Sequence, residues 1–111
     1  MENLDWKNLP FGYMKTDYNI RCYYRDGKWG DLEVSQSDHI DIHIAATGLH
    51  YGQEAFEGLK AYMGKDGKVR LFRWEENAAR FAYSADGIMM ARFPVGKFRE
   101  AVTRVVQLNR R

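Results

Sequence analysis

Between residues 48 and 62 the sequence reads GLHYGQEAFEGLKAY and places His50, Glu54 and Glu57 beside the rings of Tyr51 and Phe56. Three side chains able to carry protons, two aromatic walls and three glycines within one short segment suit a bent loop lining a pocket. A plain buried strand would need none of that mixture. A second polar group, Asp38, His39, Asp41 and His43, has ligand-type residues, and with His50 could be assembled into a metal site. His39 and His43 are too far apart along a strand to share an ion without a third ligand from elsewhere, so solvated or hydrogen-bonded side chains are the favoured reading and no metal is assigned.

Other candidates have plainer explanations. Cys22 falls on the apolar side of an alternating stretch with no neighbouring base, which suits a buried, inert thiol. The run GKDGK at residues 64–68 has the composition of a phosphate-cradling loop but lacks its spacing, and reads as a turn. Arg80 lies beside the apolar stripe of a helix, so pattern alone favours a solvated arginine over an anion ligand.

The elements that must position these residues follow from periodicity. Residues 1 to 16 read as an irregular arm, interrupted by Pro10 and Gly12. From Asp17 the residues alternate, with Tyr18, Ile20, Cys22 and Tyr24 on one face, until Asp26-Gly27 signals a two-residue hairpin turn. On the return, Trp29, Leu32 and Val34 are out of phase by one residue. A bulge near Gly30 would put Leu32 and Val34 on the buried face with Trp29. Ile40, Ile42 and Ile44 mark another alternating strand, and Asp66-Gly67 a second hairpin joining strands at about residues 59–63 and 69–72.

The period then becomes helical. Ala78, Phe81, Ala82, Ala85, Ile88 and Met89 form one stripe, which starts behind Glu75 and Glu76 and ends at Arg92-Phe93-Pro94. Phe98, Ala101, Val102, Val105 and Leu108 form another. Strands followed by helices predict an α+β domain over residues 17–111, an antiparallel-rich sheet of hairpins with two amphipathic helices packed on it.

Composition narrows the function classes. The 111 residues are 45% hydrophobic and 14% aromatic, enough for one small domain. Lysine and arginine number 17 against 15 acidic residues, a balance that gives no reason to expect a nucleic-acid or membrane surface. One cysteine allows no intrachain disulfide, the start of the chain has no signal-peptide pattern, and no apolar run approaches membrane-spanning length. A cytoplasmic protein is expected.

The segment GLHYGQEAFEGLKAY followed by KVRLFRWEENAAR resembles branched-chain amino acid aminotransferases, fold-type IV enzymes that use pyridoxal 5′-phosphate. The likeness is close over residues 45–80, recognisable from about Asp17 and looser beyond Arg80, with Met63 and Trp74 departing from the usual pattern. It implies that Tyr51 and Phe56 wall the pocket for the substrate's aliphatic side chain. It also implies that Arg80 holds the cofactor phosphate, which reverses the reading from pattern alone. Such apolar walls select by about 1–3 kcal/mol per methylene, a graded preference among Leu, Ile and Val.

The implied reaction moves an amino group between those amino acids and 2-oxoglutarate. Family members are much longer, and no lysine here sits in a context matching the one that links the cofactor. No catalytic residue is therefore assigned, and the chain is expected to be an inactive amino-terminal piece of such an enzyme, an incomplete small domain. Pyridoxal 5′-phosphate is the cofactor the resemblance implies for the full-length form. With part of its sheet uncovered it is expected to self-associate, most simply as a homodimer. The competing readings are a structural domain without chemistry, and a piece of a sibling enzyme acting on D-amino acids or aminodeoxychorismate.

Overall fold

Asp26 and Gly27 both adopt positive φ, 54° and 78°, the backbone that a tight two-residue hairpin requires. Around them the computed structural model, which describes residues 12–110, forms four short strands: β1 (Asn19–Arg21), β2 (Tyr24–Arg25), β3 (Lys28–Trp29) and β4 (Glu33–Ser35). Most of the expected arm, residues 1–11, and Arg111 lie outside the described residues; residues 12–16 form neither helix nor strand. In the hairpin Tyr24 faces Trp29, while further out Arg21 faces Glu33 and Ile20 faces Val34. Cys22 and Tyr23 are thus opposed by Gly30, Asp31 and Leu32, one residue more on the returning side. This is the irregularity expected near Gly30, whose amide donates to the Tyr23 carbonyl at 2.8 Å.

Its consequence is only half of what the pattern predicts. Leu32 is half-buried, but Val34 stays exposed. The extra residue is present, yet Val34 remains 40% exposed although α3 packs against β1 of the same ladder. Cys22 is likewise half-buried rather than buried, with its thiol 3.3 Å from the Gly30 carbonyl.

The isoleucine alternation at residues 40–44 produces no strand. Ile40, Ile42 and Ile44 are exposed, and no ladder partner pairs with them among the described residues. Alternation fits a pleated strand only where another backbone takes up its amides and carbonyls. A short helix, α1 (Thr47–Tyr51), follows instead and closes at Gly52 in the left-handed conformation (φ 64°). The second hairpin forms as expected, with β5 (Ala61–Met63) and β6 (Val69–Leu71) antiparallel around a turn in which Gly67 has φ 79°. The described strands form three separate two-stranded ladders, not one continuous sheet.

Helix α2 spans Trp74–Gly87 and α3 spans Val95–Leu108. Glu75 and Glu76 lie in the first turn of α2, where its dipole favours them. The helix ends earlier than the stripe suggests. Met89 adopts φ 59°, and Met90 N–H donates to Ala85 O at 2.9 Å while Met89 N–H donates to Asp86 O at 3.2 Å. That reverse turn satisfies two terminal carbonyls and swings Met89 off the apolar face, leaving it 92% exposed. Pro94 then caps the start of α3 rather than the end of α2.

The core lies where the two helices meet the first hairpin. Ala78, Ala85 and Phe98 are buried, and a chain of rings runs from Tyr24 through Trp29, Phe93 and Phe81 to Phe98, with centroids 4.8–6.4 Å apart. Trp29 Nε1 donates to Arg92 O at 2.8 Å, which ties the hairpin to the interhelix connection. Asn109, just past α3, takes a hydrogen bond from Tyr18 N–H at 3.0 Å and returns one to Tyr18 O at 2.9 Å. The architecture is α+β, with antiparallel hairpins and two helices packed against each other, as the residue pattern predicts.

Candidate functional site

The glycine-rich segment is held at its ends. Within it, Gly52 makes the sharp bend, and the Gln53 side chain is fixed between Thr47 Oγ1 (2.6 Å) and the carbonyl of Ile88 (2.8 Å). The second contact ties the segment to the far end of α2. His50 Nε2 hydrogen-bonds Ile44 O. The rings themselves are not enclosed: Tyr51 is 83% exposed and Phe56 90% exposed. The hollow lined by Gly58, Leu59, Lys60, Tyr62, Phe72 and Asn77 has neither ring in its wall.

The histidines do not converge. His39 Nε2 lies 3.4 Å from Asp38, and His43 Nδ1 accepts from Ala45 N–H at 2.9 Å. Among the described residues no three His, Cys, Asp or Glu side chains form a group able to hold a metal ion. The GKDGK run is a turn, closed by Gly64 N–H on Lys68 O at 2.7 Å and by an Asp66–Arg70 ion pair at 2.6 Å. Arg70 holds the Asp66 carboxyl below the usual carboxylate range, and Arg92 does the same for Asp86.

Arg80 is the candidate that the fold does organise. It stands on α2, and its Nε and Nη2 donate to Glu57 Oε1 at 3.1 and 2.5 Å. Asn77, one turn earlier on the helix and buried, donates to the same oxygen at 2.8 Å and to Gly58 O at 2.7 Å. Glu57 adjoins Phe56, so this cluster joins the aromatic segment to the arginine helix. The Arg80 side chain remains 63% exposed, and among the described residues no hydrogen bond engages Nη1. A guanidinium with one edge fixed and the other open to solvent fits a phosphate group, which accepts several charge-assisted hydrogen bonds. The sequence pattern marks Glu57 only as a side chain able to carry a proton and does not single out Asn77. The only sequence signal was a carboxylate and an arginine in two separate motifs, 23 residues apart.

No family model matches the chain. Individual relatives do. It is 46% identical over 109 residues to the branched-chain-amino-acid aminotransferase of Haemophilus influenzae, covering 98% of this chain and 32% of the relative. Against the enzyme of that name from Helicobacter pylori it is 40% identical over 111 residues, covering 100% of this chain and 33% of the relative. Against the chloroplastic branched-chain-amino-acid aminotransferase 5 of Arabidopsis thaliana the identity is 42%, covering 100% of this chain and 27% of the relative. The chain therefore spans about a third of the length of the curated relatives it matches. The likeness read from residues 45–80 extends over essentially the whole chain, including the second amphipathic helix.

Proposed function

We propose that this chain, similar over its whole length to branched-chain amino acid aminotransferases, is an incomplete small domain of such an enzyme, residues 17–111, preceded by the arm of residues 1–16. It contributes the phosphate-holding arginine and the wall for the substrate side chain, in a protein that moves amino groups between Leu, Ile or Val and 2-oxoglutarate. The observation that carries this reading is Arg80, braced on one edge by Glu57 and open on the other. Pyridoxal phosphate, when bound, supplies an electron sink for the charge left on the substrate's α-carbon.

The residues here bind and select. Arg80 would grip the phosphate with paired N–H donors matched to its charge and shape. Tyr51 and Phe56 would exclude water from the aliphatic side chain once an opposing surface covers them, since apolar contact stabilises only where water is removed. No lysine of the chain matches the family's cofactor-linking residue, so the 111 residues alone are expected to produce no glutamate from leucine and 2-oxoglutarate. The exposed Ile40, Ile42, Ile44, Leu49, Tyr51 and Phe56 support self-association, with a homodimer as the simplest closed form. Analytical ultracentrifugation at micromolar concentration should show a species heavier than the monomer. No described helix is long and apolar enough to cross a membrane. The cytoplasm is the proposed location.

The direct test compares pyridoxal 5′-phosphate with pyridoxal as ligands of the wild-type chain and of Arg80→Ala. A preference for the phosphorylated form that disappears in the variant is the expected result. Equal binding of both forms by the wild type, or leucine turnover by the isolated chain, would overturn the reading.

A further inference from the structure

Glu57 has no part in the function proposed so far, yet it makes the contacts that fix Arg80. Its side chain is only 13% exposed, although it is charged and lies near the surface. One carboxylate oxygen takes both Arg80 bonds and the Asn77 bond, and Asn77 also holds the next carbonyl, Gly58 O. Both the side chain of Glu57 and the backbone beside it are thereby anchored to α2. The guanidinium has five N–H donors in a rigid plane. Glu57 occupies the edge formed by Nε and Nη2, which sets the direction of that plane and leaves the Nη1 end facing away from the carboxylate.

We propose that Glu57 is a positioning residue: it holds Arg80 so that the outer end of the guanidinium is presented to a phosphate dianion. This rests on the reading of Arg80 as the phosphate ligand. Because Glu57 directly follows Phe56, the same contact fixes the spacing between the phosphate site and the side-chain wall. A free arginine must lose rotamer freedom when it takes an anion, whereas one already held in plane loses less. The Glu57 charge opposes a dianion, but the Arg80 guanidinium bonded to it offsets much of that charge. Positioning should therefore outweigh repulsion. A carboxylate that merely competed for Arg80 would have the opposite effect.

The experiment uses the 111-residue chain, with inorganic phosphate, pyridoxal 5′-phosphate and pyridoxal as probes. Arginine Nε–H resonances in nitrogen-15 spectra report the state of Arg80 independently of any activity. Glu57→Ala is expected to weaken both phosphate-bearing probes about five-fold, the scale of one lost orienting hydrogen bond, and to leave pyridoxal unchanged. Glu57→Gln keeps the acceptor oxygen and is expected to restore affinity to within about two-fold. In the wild type the Arg80 Nε–H should stay protected from exchange before and after phosphate is added.

Unchanged or tighter phosphate binding by Glu57→Ala overturns the proposal, as does loss of Nε–H protection when phosphate binds the wild type. The last measurement needs no variant, so a misfolded Glu57→Ala does not rescue the idea. Loss of binding in Arg80→Ala with no effect at Glu57 sinks this inference alone. No difference between Arg80→Ala and wild type sinks the reading of Arg80 together with it.

Discussion

The helix pair and the segment from Asp38 to Lys60 are built on opposite principles. In the first, α2 and α3 close on each other and on Trp29, and Ala78, Ala85 and Phe98 are buried. In the second no residue is buried, and its largest apolar side chains lie open. Among the described residues the polar contacts that attach that segment to the body include Arg21 on His39 O, Gln53 on Ile88 O, Glu57 on Arg80, and Asn77 on Glu57 and Gly58 O. The residues assigned to chemistry by resemblance thus sit in the less packed region or at its junction with the packed one. Burial is concentrated in one part of the chain, and the residues proposed for recognition lie largely in another. Low local stability suits segments that must close on a ligand or on another surface.

The sharpest way to break that contrast is a pair of phenylalanine truncations. Phe98→Ala removes a ring 9% exposed and packed 6.1 Å from Phe81, and should cost about 3 kcal/mol or more in urea unfolding. Phe56→Ala should shift stability by less than about 0.5 kcal/mol, because its ring is already in water. Equal losses at the two positions would mean that the segment is part of the core after all.

Asn77 sharpens the comparison, since it belongs to both regions. Asn77→Ala should cost about 1–3 kcal/mol, the scale for a buried polar partner removed. It should also raise hydrogen exchange at residues 57 and 58 more than within α3. Gln53→Ala should give a smaller global loss, about 1 kcal/mol or less, with faster exchange confined to residues 52–55.

Met89 tests whether the packed half is itself optimal. It holds φ 59° with its side chain in solvent, where glycine incurs no Cβ penalty. Met89→Gly should raise thermal stability by up to about 1 kcal/mol. A loss instead would show that the Met89 side chain packs in solution.

The smallest effect is on pH dependence. Asp66 and Asp86 titrate below the ordinary carboxylate value because Arg70 and Arg92 hydrogen-bond their ionised forms. Their contribution is therefore present above the unfolded-state carboxylate pKa and is lost as pH falls through the lower folded-state values. Both pairs are exposed and screened. Asp66→Asn and Asp86→Asn should flatten the acid limb of the stability curve slightly and leave neutral pH nearly unchanged. A large change at pH 7 would contradict their solvent exposure.

Legibility in the sequence followed the range of the interaction involved. Both Asp-Gly turns, the extra residue near Gly30 and the stripe of α3 could be read because each depends on neighbours within a few positions. The end of α2 was misplaced because apolar spacing runs on through Ile88 and Met89, whereas the backbone reverses there to satisfy the carbonyls of Ala85 and Asp86. The alternation of Ile40, Ile42 and Ile44 predicted a strand that requires a partner backbone, and no described residue provides one.

The candidate site divides in the same way. Motif likeness alone pointed to Tyr51, Phe56 and Arg80, since residue types at fixed spacing survive in a linear string. That Glu57 braces Arg80, that Asn77 anchors Glu57, and that the two rings stand in water were decided by the tertiary structure. Those facts depend on how α2 lies against a loop some twenty residues earlier, and on which surfaces remain without a neighbour to exclude water. Local turns, strand parity and helical stripes are fixed by short-range sterics and periodicity. The pairing of a carboxylate with a distant guanidinium exists only once the chain has folded.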